Sequence, residues 1–584
     1  MKRTDARVLS LIGVVIVLAG CMAAGRAVPA STDRTVHDKS LEPDEISRDR
    51  ETDPSADYSS SDETVTRTVD VDAKRGQQSG LRAGYVDDNK QFNRFNAFLE
   101  EKRPQVDAYP LPVQERIMLK VTDAAGASLA NARVSVSAGG KKLCQGRTYA
   151  DGTFLFFPRE YQDAFSSYRA DVVVGGKKKT VSLDRQGQRE VVVALDLQRE
   201  NRQQVPLDIV FILDTTASMS EEINRLKTTI EIIYSNLVYF PSQPIVRFGL
   251  VLFRDRGDDY VVRMLPLTGD LSRFQTFLGK VEAAGGGDWP EDLQEALSQS
   301  IRSIEWNPDG IRMAFIITDA QPHLDYGQRY TYVSAVHDAR EKGVKIFSIG
   351  TGELPLSGEY VLRQIAQYTY AKYLFLTYGE RSDSEGGRVG SVSHHVGENY
   401  QTDKLEALIM QLAREELSHL TSRPLEPEEE YFQATRVDTE GKTETLKKLF
   451  DMSFSQLTDY SSLKIKPGTR ASIIPFVPGA GDLAPAGEYF TEQAVLSLAA
   501  DKTFTLVERE NLQKVLAELE FQLSDLADES KAARLGKLLG AEVLVTGKLY
   551  RVKENYEIFL KLVRVETAEI LSVIKVKIDS GLGL

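Results

Sequence analysis

The stretch that most constrains this chain is Leu207–Ser220, LDIVFILDTTASMS. Its centre, Ile209–Leu213, is apolar without interruption, which suits a parallel strand covered on both faces. The run stops at Asp214 and passes into hydroxyls at Thr216 and Ser218, so three oxygen-bearing side chains can converge from one tight loop. Ser218 and Glu221 fit a capping box, S-x-x-E, for a helix expected to reach about Val238. In α/β sheets, ligands bind at the carboxyl ends of such strands. Hard oxygen donors suit Mg²⁺, Mn²⁺ or Ca²⁺ rather than zinc or copper.

The surrounding pattern extends that frame over about 205–421. Strand candidates 209–213, 246–253, 311–318, 344–350 and 372–376 alternate with helical stretches 219–238, 270–283, 290–305, 330–342 and 359–369, and a helix over 403–419 closes the set. Strands alternating with helices predict an α/β doubly wound parallel sheet of Rossmann-like type. Three loops then fall at strand carboxyl ends: the opening loop, the turn GGGDWPED (285–292), and Thr318-Asp319-Ala320-Gln321-Pro322-His323.

The D-x-T-x-S of the opening loop resembles the metal-ion-dependent adhesion site of von Willebrand factor A (vWA) domains, whose usual form is D-x-S-x-S. That resemblance implies a divalent cation, Mg²⁺ first and Mn²⁺ or Ca²⁺ as alternatives, held by Asp214, Thr216, Ser218 and Asp319. The middle loop of the family usually offers a threonine, and here Asp288 stands in its place. A third carboxylate would bind the cation more strongly but neutralise it further, so that an acidic partner residue adds less as the last ligand. The resemblance also implies an envelope or extracellular protein as partner. Taken singly, Asp214 and Ser218 fit a helix cap, Asp288 with Pro290 fits a helix start, and Asp319 fits a strand end. Three such loops in register on one frame favour the cation reading. Arg254-Asp255 reads as a solvated pair at the rim, and Arg256-Gly257-Asp258 as a chance tripeptide.

An enzyme is not expected. Ser218, Asp319 and His323 include the residue types of a hydrolytic triad, but no G-x-S-x-G surrounds any serine and no nucleotide-binding loop occurs. His323 and the pair His394-His395 read as solvated or turn residues.

The amino terminus sets the compartment. Lys2, Arg3 and Arg7 precede an apolar run, Val8–Ala19, of the length of a signal-peptide core. It ends in Leu18-Ala19-Gly20-Cys21, which looks like a bacterial lipobox, implying a signal peptide over 1–21 and lipid on Cys21. Met22 rather than Asp follows, which points to the outer membrane. Residues 22–83 are polar and charged with almost no aromatics, as expected of a disordered tether spanning roughly 45 Å on average. Cys144 is the only other cysteine and reads as a buried apolar residue. A net charge of −13 with no basic tract argues against nucleic acid as a partner.

The flanking segments read as separate units. Over 84–114, Phe92, Phe95 and Leu99 mark one stripe of a short helix docked on the folded chain, followed by a linker. Residues 115–197 hold about seven short strands, predicting a β-sandwich, and resemble carboxypeptidase-regulatory-like and bacterial Ig-like modules. Residues 422–468 read as a linker with a short helix at 443–451. Over 469–580 the order strand, helix, strand, helix, helix and three strands predicts a small α+β domain. It resembles the curli-secretion and flagellar outer-membrane lipoprotein family in Val507-Glu508-Arg509, Leu539-Gly540-Ala541-Glu542, Val545-Thr546-Gly547 and Val563-Arg564-Val565-Glu566-Thr567. It departs from that family at Glu542 and Ala568. Docking or homo-oligomerisation is the expected use of this end, with no secretion pore. Two functions follow as expectations: a lipid-anchored scaffold that grips a partner through a cation, or a regulator of an envelope enzyme or of a flagellar or secretion machine that acts through its carboxyl-terminal domain.

Overall fold

The computed structural model describes residues 81–161, 165–200, 204–237, 240, 242–287, 289–376, 401–421, 431–434, 442–507 and 528–582. The signal segment, Cys21, the tether over 22–80, Asp288, His394-His395 and the helix expected over 510–520 lie outside them.

The chain enters through β1 (Arg82–Val86) and helix α1 (Phe92–Lys102). Phe92, Phe95 and Leu99 are buried, as their spacing requires, so α1 docks on the protein itself. Seven strands follow: β2 (Ile117–Thr122), β3 (Arg133–Ala138), β4 (Lys141–Arg147), β5 (Thr153–Phe156), β6 (Ser167–Val174), β7 (Lys177–Asp184) and β8 (Glu190–Ala194). They form a three-stranded sheet, β5-β2-β8, and a four-stranded one, β4-β3-β6-β7. Alternate residues of both sheets, among them Leu119, Phe154, Val136 and Tyr168, share one apolar core that also takes in Cys144.

The central part runs β9 (Pro206–Asp214), α2 (Ser220–Leu237), β10 (Ile245–Phe253), β11 (Val262–Thr268), α3 (Leu271–Gly279), α4 (Leu293–Ser298), β12 (Ile311–Thr318), α5 (Tyr332–Lys342), β13 (Lys345–Gly350), α6 (Leu356–Tyr368), β14 (Tyr373–Leu376), β15 (Gln401–Lys404) and α7 (Leu405–Ser418). Its eight-stranded sheet has the order β11-β10-β9-β12-β13-β14-β1-β15. Strands β10, β9, β12, β13 and β14 are parallel, and β9 lies inside with Ile209–Leu213 buried to within 1%. The sheet is mixed rather than wholly parallel, because β11 pairs antiparallel with β10 and β1 lies antiparallel to both β14 and β15. β11 carries Pro266, which has no backbone N–H for a ladder and is tolerated on this edge strand.

Two boundaries differ from expectation. Residues 82 and 83, read as tether, belong to β1, whose five residues pair with strands almost 300 positions away. A strand so short has no pattern of its own, and its place comes from the neighbours. The segment read as a linker carries an eighteen-residue helix, α8 (Lys442–Asp459), and Leu446, Leu449, Phe450, Phe454 and Leu457 enter the carboxyl-terminal core. Pro424, Pro427 and the glutamates lie ahead of that helix, which explains why the segment reads as polar.

The remaining elements are β16 (Tyr431–Ala434), which precedes α8, then β17 (Thr469–Ile473), β18 (Val477–Pro478), α9 (Ala484–Ala500), β19 (Phe504–Leu506), α10 (Glu529–Leu539), β20 (Val543–Val552), β21 (Asn555–Arg564) and β22 (Glu569–Asp579). They build a mixed sheet, β16-β22-β21-β20-β17-β19, with β18 on β20.

A buried ion network fastens the β1–α1 connection to the central part. Arg363 on α6 grips Asp88 through two nitrogens, at 2.8 and 2.6 Å, and also reaches Glu359 at 3.2 Å. All three residues are within 1% of full burial. Removing one partner would leave a charge stranded in an apolar setting. Asp88→Ala is therefore expected to lower stability by roughly 3–5 kcal/mol, read from urea unfolding. A loss below about 1 kcal/mol would show that the network does not hold this junction.

Candidate functional site

The site grows from the end of β9. The strand needs its apolar residues buried on both faces, and this brings Asp214, its last residue, to full burial. Its two oxygens are occupied from both sides. Oδ1 accepts from the backbone N–H of Thr216 at 3.0 Å and from the Thr216 hydroxyl at 2.7 Å, and Oδ2 accepts from the Thr318 hydroxyl at 2.6 Å. Thr318 ends β12, the neighbouring strand, so the next residue, Asp319, arrives beside Asp214. The Ser218 hydroxyl donates to Asp319 Oδ1 at 3.2 Å and lies 3.1 Å from the Thr216 hydroxyl. A chain of hydroxyls thus joins the two carboxylates. Ser218 sits in a 3₁₀ turn, Ala217–Met219, and α2 opens at Ser220, so its hydroxyl faces the carboxylates rather than starting the helix as a cap.

Four of the five expected ligands, Asp214, Thr216, Ser218 and Asp319, are therefore together, and Asp288 is outside the described residues. The turn that carries it supplies a carboxylate that the sequence reading passed over. Glu291 is buried, and its Oε2 has no hydrogen-bond partner. Its backbone is pinned, since its N–H donates to the Gln321 carbonyl and its carbonyl accepts from His323. Gly286, at φ +71°, lets this turn press on the first loop: a β-carbon there would sit 3.0 Å from Thr216 Cβ and 3.2 Å from Glu291 Oε1. The only signal for Glu291 was its presence as one of three acids in GGGDWPED.

Electrostatics separate this cluster from a set of helix caps. Burial, then repulsion from Asp319, pushes Asp214 up to about 7. Burial is also the main cause that lifts Asp319 to about 6, with Glu222 adding repulsion. Glu291 is pushed up to about 9, first by burial and then by Asp214, Asp255, Asp258 and Asp319. Among the described residues, no Lys, Arg or His side chain pairs with Asp214 or Asp319.

The cations nearby brace loops instead. Arg254 and Asp255, expected to be a solvated pair, are both buried. Arg254 donates to the carbonyls of Thr215 at 3.0 Å and Glu282 at 2.8 Å and lies over the Tyr260 ring. Asp255 accepts from the Tyr326 hydroxyl at 2.6 Å. His323, expected to be solvated, is buried as well. Its Nδ1 lies 2.7 Å from Asp325, its Nε2 lies 3.4 Å from Asp255, and its ring stacks on Tyr326. The tripeptide Arg256-Gly257-Asp258 is built into the same rim: Arg256 pairs with Asp292 at 3.0 Å, and Asp258 accepts from the Gly286 N–H. The contacts of Arg254 with Thr215, of Arg256 with Asp292 and of Asp255 with Tyr326 join loops far apart in sequence, which local pattern cannot show.

Residues 208–391 match the family model of the von Willebrand factor A domain, and residues 452–558 match that of the curli production assembly/transport component CsgG. The chain carries a vWA domain and a CsgG-like domain. Human von Willebrand factor A domain-containing protein 7 is 36% identical over 112 residues, 19% of this chain and 12% of that protein. Alpha-protein kinase vwkA of Dictyostelium discoideum is 27% identical over 164 residues, 27% of this chain and 25% of the kinase. The chain thus spans about a quarter or less of the curated relatives it matches. Among solved structures, the LpoB C-terminal domain from Salmonella enterica aligns at 19% identity with a TM-score of 0.20, covering 24% of this chain and 99% of that one.

The vWA loops fit a hard divalent cation by their chemistry: two carboxylates, two hydroxyls and an unpartnered oxygen of Glu291, with no nitrogen or sulfur donor among them. Among the described residues no three acidic, His or Cys side chains converge as a metal cage by themselves. Asp214, Thr216, Ser218 and Asp319 would supply four donors and Glu291 a fifth, so a six-coordinate cation held there would keep a position for water or another oxygen.

The raised carboxylates have a stability consequence with a definite sign. Glu291 keeps its proton in the folded state up to about 9, whereas its ordinary value is 4.5. The unfolded chain releases that proton first, so stability of the metal-free protein falls as pH rises from about 4.5 towards 9. In chelator at pH 8, Glu291→Gln is expected to stabilise the protein by at least about 1 kcal/mol, and the gain should vanish at pH 4. Urea unfolding at the two pH values checks this, and equal stability at pH 8 would remove Glu291 from the cluster.

Proposed function

We propose that this protein is a lipid-anchored cell-envelope scaffold that captures a protein partner at the cation-binding loops of its vWA domain. The observation that carries this reading is the pair of buried carboxylates, Asp214 and Asp319, joined through Thr216 and Ser218 with no cationic side chain paired to them among the described residues. A bound divalent cation would supply the missing positive charge and an open coordination position. The chain's own residues would do the rest. Asp214 is held by Thr318 and by the backbone of its own loop, and Glu291 is held by the Gln321 and His323 backbones, so the donors are placed before anything binds.

A binding role rather than hydrolysis is supported by His323, which turns its two nitrogens to Asp325 and Asp255, while the Ser218 hydroxyl lies on Thr216 and Asp319. Among the described residues no histidine is hydrogen-bonded to Ser218, whose hydroxyl donates to the candidate ligand Asp319. The match over 452–558 favours an envelope setting and keeps a second reading in view, in which the CsgG-like end acts on an envelope machine. An exposed apolar patch there, with Tyr550, Val552 and Val573 on β20 and β22, supports that reading. Among the described residues no helix is long and apolar enough to cross a membrane, and attachment would rest on lipid at Cys21.

Three measurements test the proposal. Titration calorimetry with Mg²⁺ or Mn²⁺ is expected to show one site in the wild type and none in Asp214→Ala, with the circular dichroism spectrum kept. Partner capture from envelope extract should be lost in chelator, and capture that survives would transfer the interaction to the CsgG-like domain. Cys21→Ser is expected to move the protein from the membrane fraction to the soluble one, and a variant still in the membrane fraction would refute the anchor.

A further inference from the structure

A cavity of about 680 Å³ lies away from the vWA loops, between α1, the β2–β8 sheets and the segment that follows α8. Its lining is strongly basic in a chain whose net charge is −13. Arg116, Arg159, Arg185, Arg189, Lys464 and Lys466 face two carboxylates, Glu100 and Glu115, an excess of four positive charges on the lining.

The pairing inside the cavity is uneven. Glu115 takes a two-pronged contact from Arg185 at 2.9 and 2.8 Å, and Arg159 and Arg189 lean on the same carboxylate at 3.7 and 3.8 Å. Glu100 is engaged by Lys464. Arg116 is the least satisfied. It is 4% exposed, stacks on the Phe92 ring at 4.1 Å, and gives its terminal nitrogens to Asn89 Oδ1 and the Asn89 carbonyl, at 2.8 and 2.5 Å. No carboxylate lies within ion-pair distance of it among the described residues. Three buried polar atoms on this lining have no hydrogen-bond partner: Arg116 Nε, Arg189 Nε and Ser462 Oγ. A buried guanidinium without an anion is costly, because desolvation is not offset by a paired charge. Burial pushes Arg116 down only to about 10, so it stays charged at neutral pH.

We propose that this cavity is a binding site for a small multivalent oxyanion, a species bearing phosphate or carboxylate groups. Fork-shaped guanidinium donors match the planar edge of such groups, and a flexible lysine adds charge without fixed geometry. The volume is in the range of small-molecule sites. Phe92, Phe165 and Leu463 give the lining an apolar part, which suits an anion with a carbon body.

Calorimetry on the purified full chain at low salt, with inorganic pyrophosphate and citrate as separate probes, tests this. One equivalent of at least one probe is expected to bind, with affinity falling as salt rises. The double variant Arg159→Ala/Lys466→Ala changes two side chains at the mouth, Arg159 being 56% exposed, and should weaken binding at least tenfold with an unchanged melting temperature. Arg273→Ala, on α3, should bind like the wild type. Binding of pyrophosphate alone assigns phosphate chemistry, and binding of citrate alone assigns carboxylate chemistry. Failure of both probes, or equal affinity in the double variant, would overturn the proposal. Metal-free buffer keeps both results independent of the cation reading of the vWA loops.

Discussion

The placement of one carboxylate organises the central part of this protein. β9 must bury Ile209–Leu213 on both faces of the sheet, and Asp214 follows them into the same apolar surroundings before the backbone can turn away. A buried carboxylate has to be hydrogen-bonded, paired or protonated. Here it is hydrogen-bonded by Thr216 and Thr318, and then a second carboxylate, Asp319, is delivered beside it by the next strand. The parallel register of β9 and β12 forces this meeting, since both strands end at the same level of the sheet.

What surrounds the pair is rigid and acidic. Arg254, buried against Tyr260, spends its donors on backbone carbonyls of two loops and none on the carboxylates. Arg256 is taken by Asp292, and His323 by Asp325 and Asp255. The two arginines thus hold the shape of the rim, and among the described residues no Lys or Arg side chain pairs with Asp214 or Asp319.

The basic cavity near α1 shows the same imbalance with the sign reversed. Its arginines outnumber the carboxylates of the lining, and among the described residues Arg116 has no carboxylate at ion-pair distance, within a chain that is acidic as a whole. α1 itself is held by the buried Asp88–Arg363 pair and by Asn93, whose side-chain oxygen accepts from the Ile465 N–H. The segment after α8 therefore reaches α1 directly, and the wall it forms with the β2–β8 sheets is part of the folded body.

Much of the site was legible in residue order alone. The apolar run ending in D-x-T-x-S placed Asp214, Thr216 and Ser218, and the alternation of strands and helices placed Asp319, because local hydrophobic pattern dictates which backbone is buried and where a buried strand must end. The seven strands of 117–194 and the stripe of Phe92, Phe95 and Leu99 were legible for the same reason. Other features were decided only by tertiary structure. The insertion of β1 between β14 and β15, the burial of α8, the inward turn of Glu291 and the use of Arg254 and His323 as braces all depend on partners tens to hundreds of residues away. A short strand or a single charged side chain carries no periodic signal, and its energy is set by what the fold brings against it.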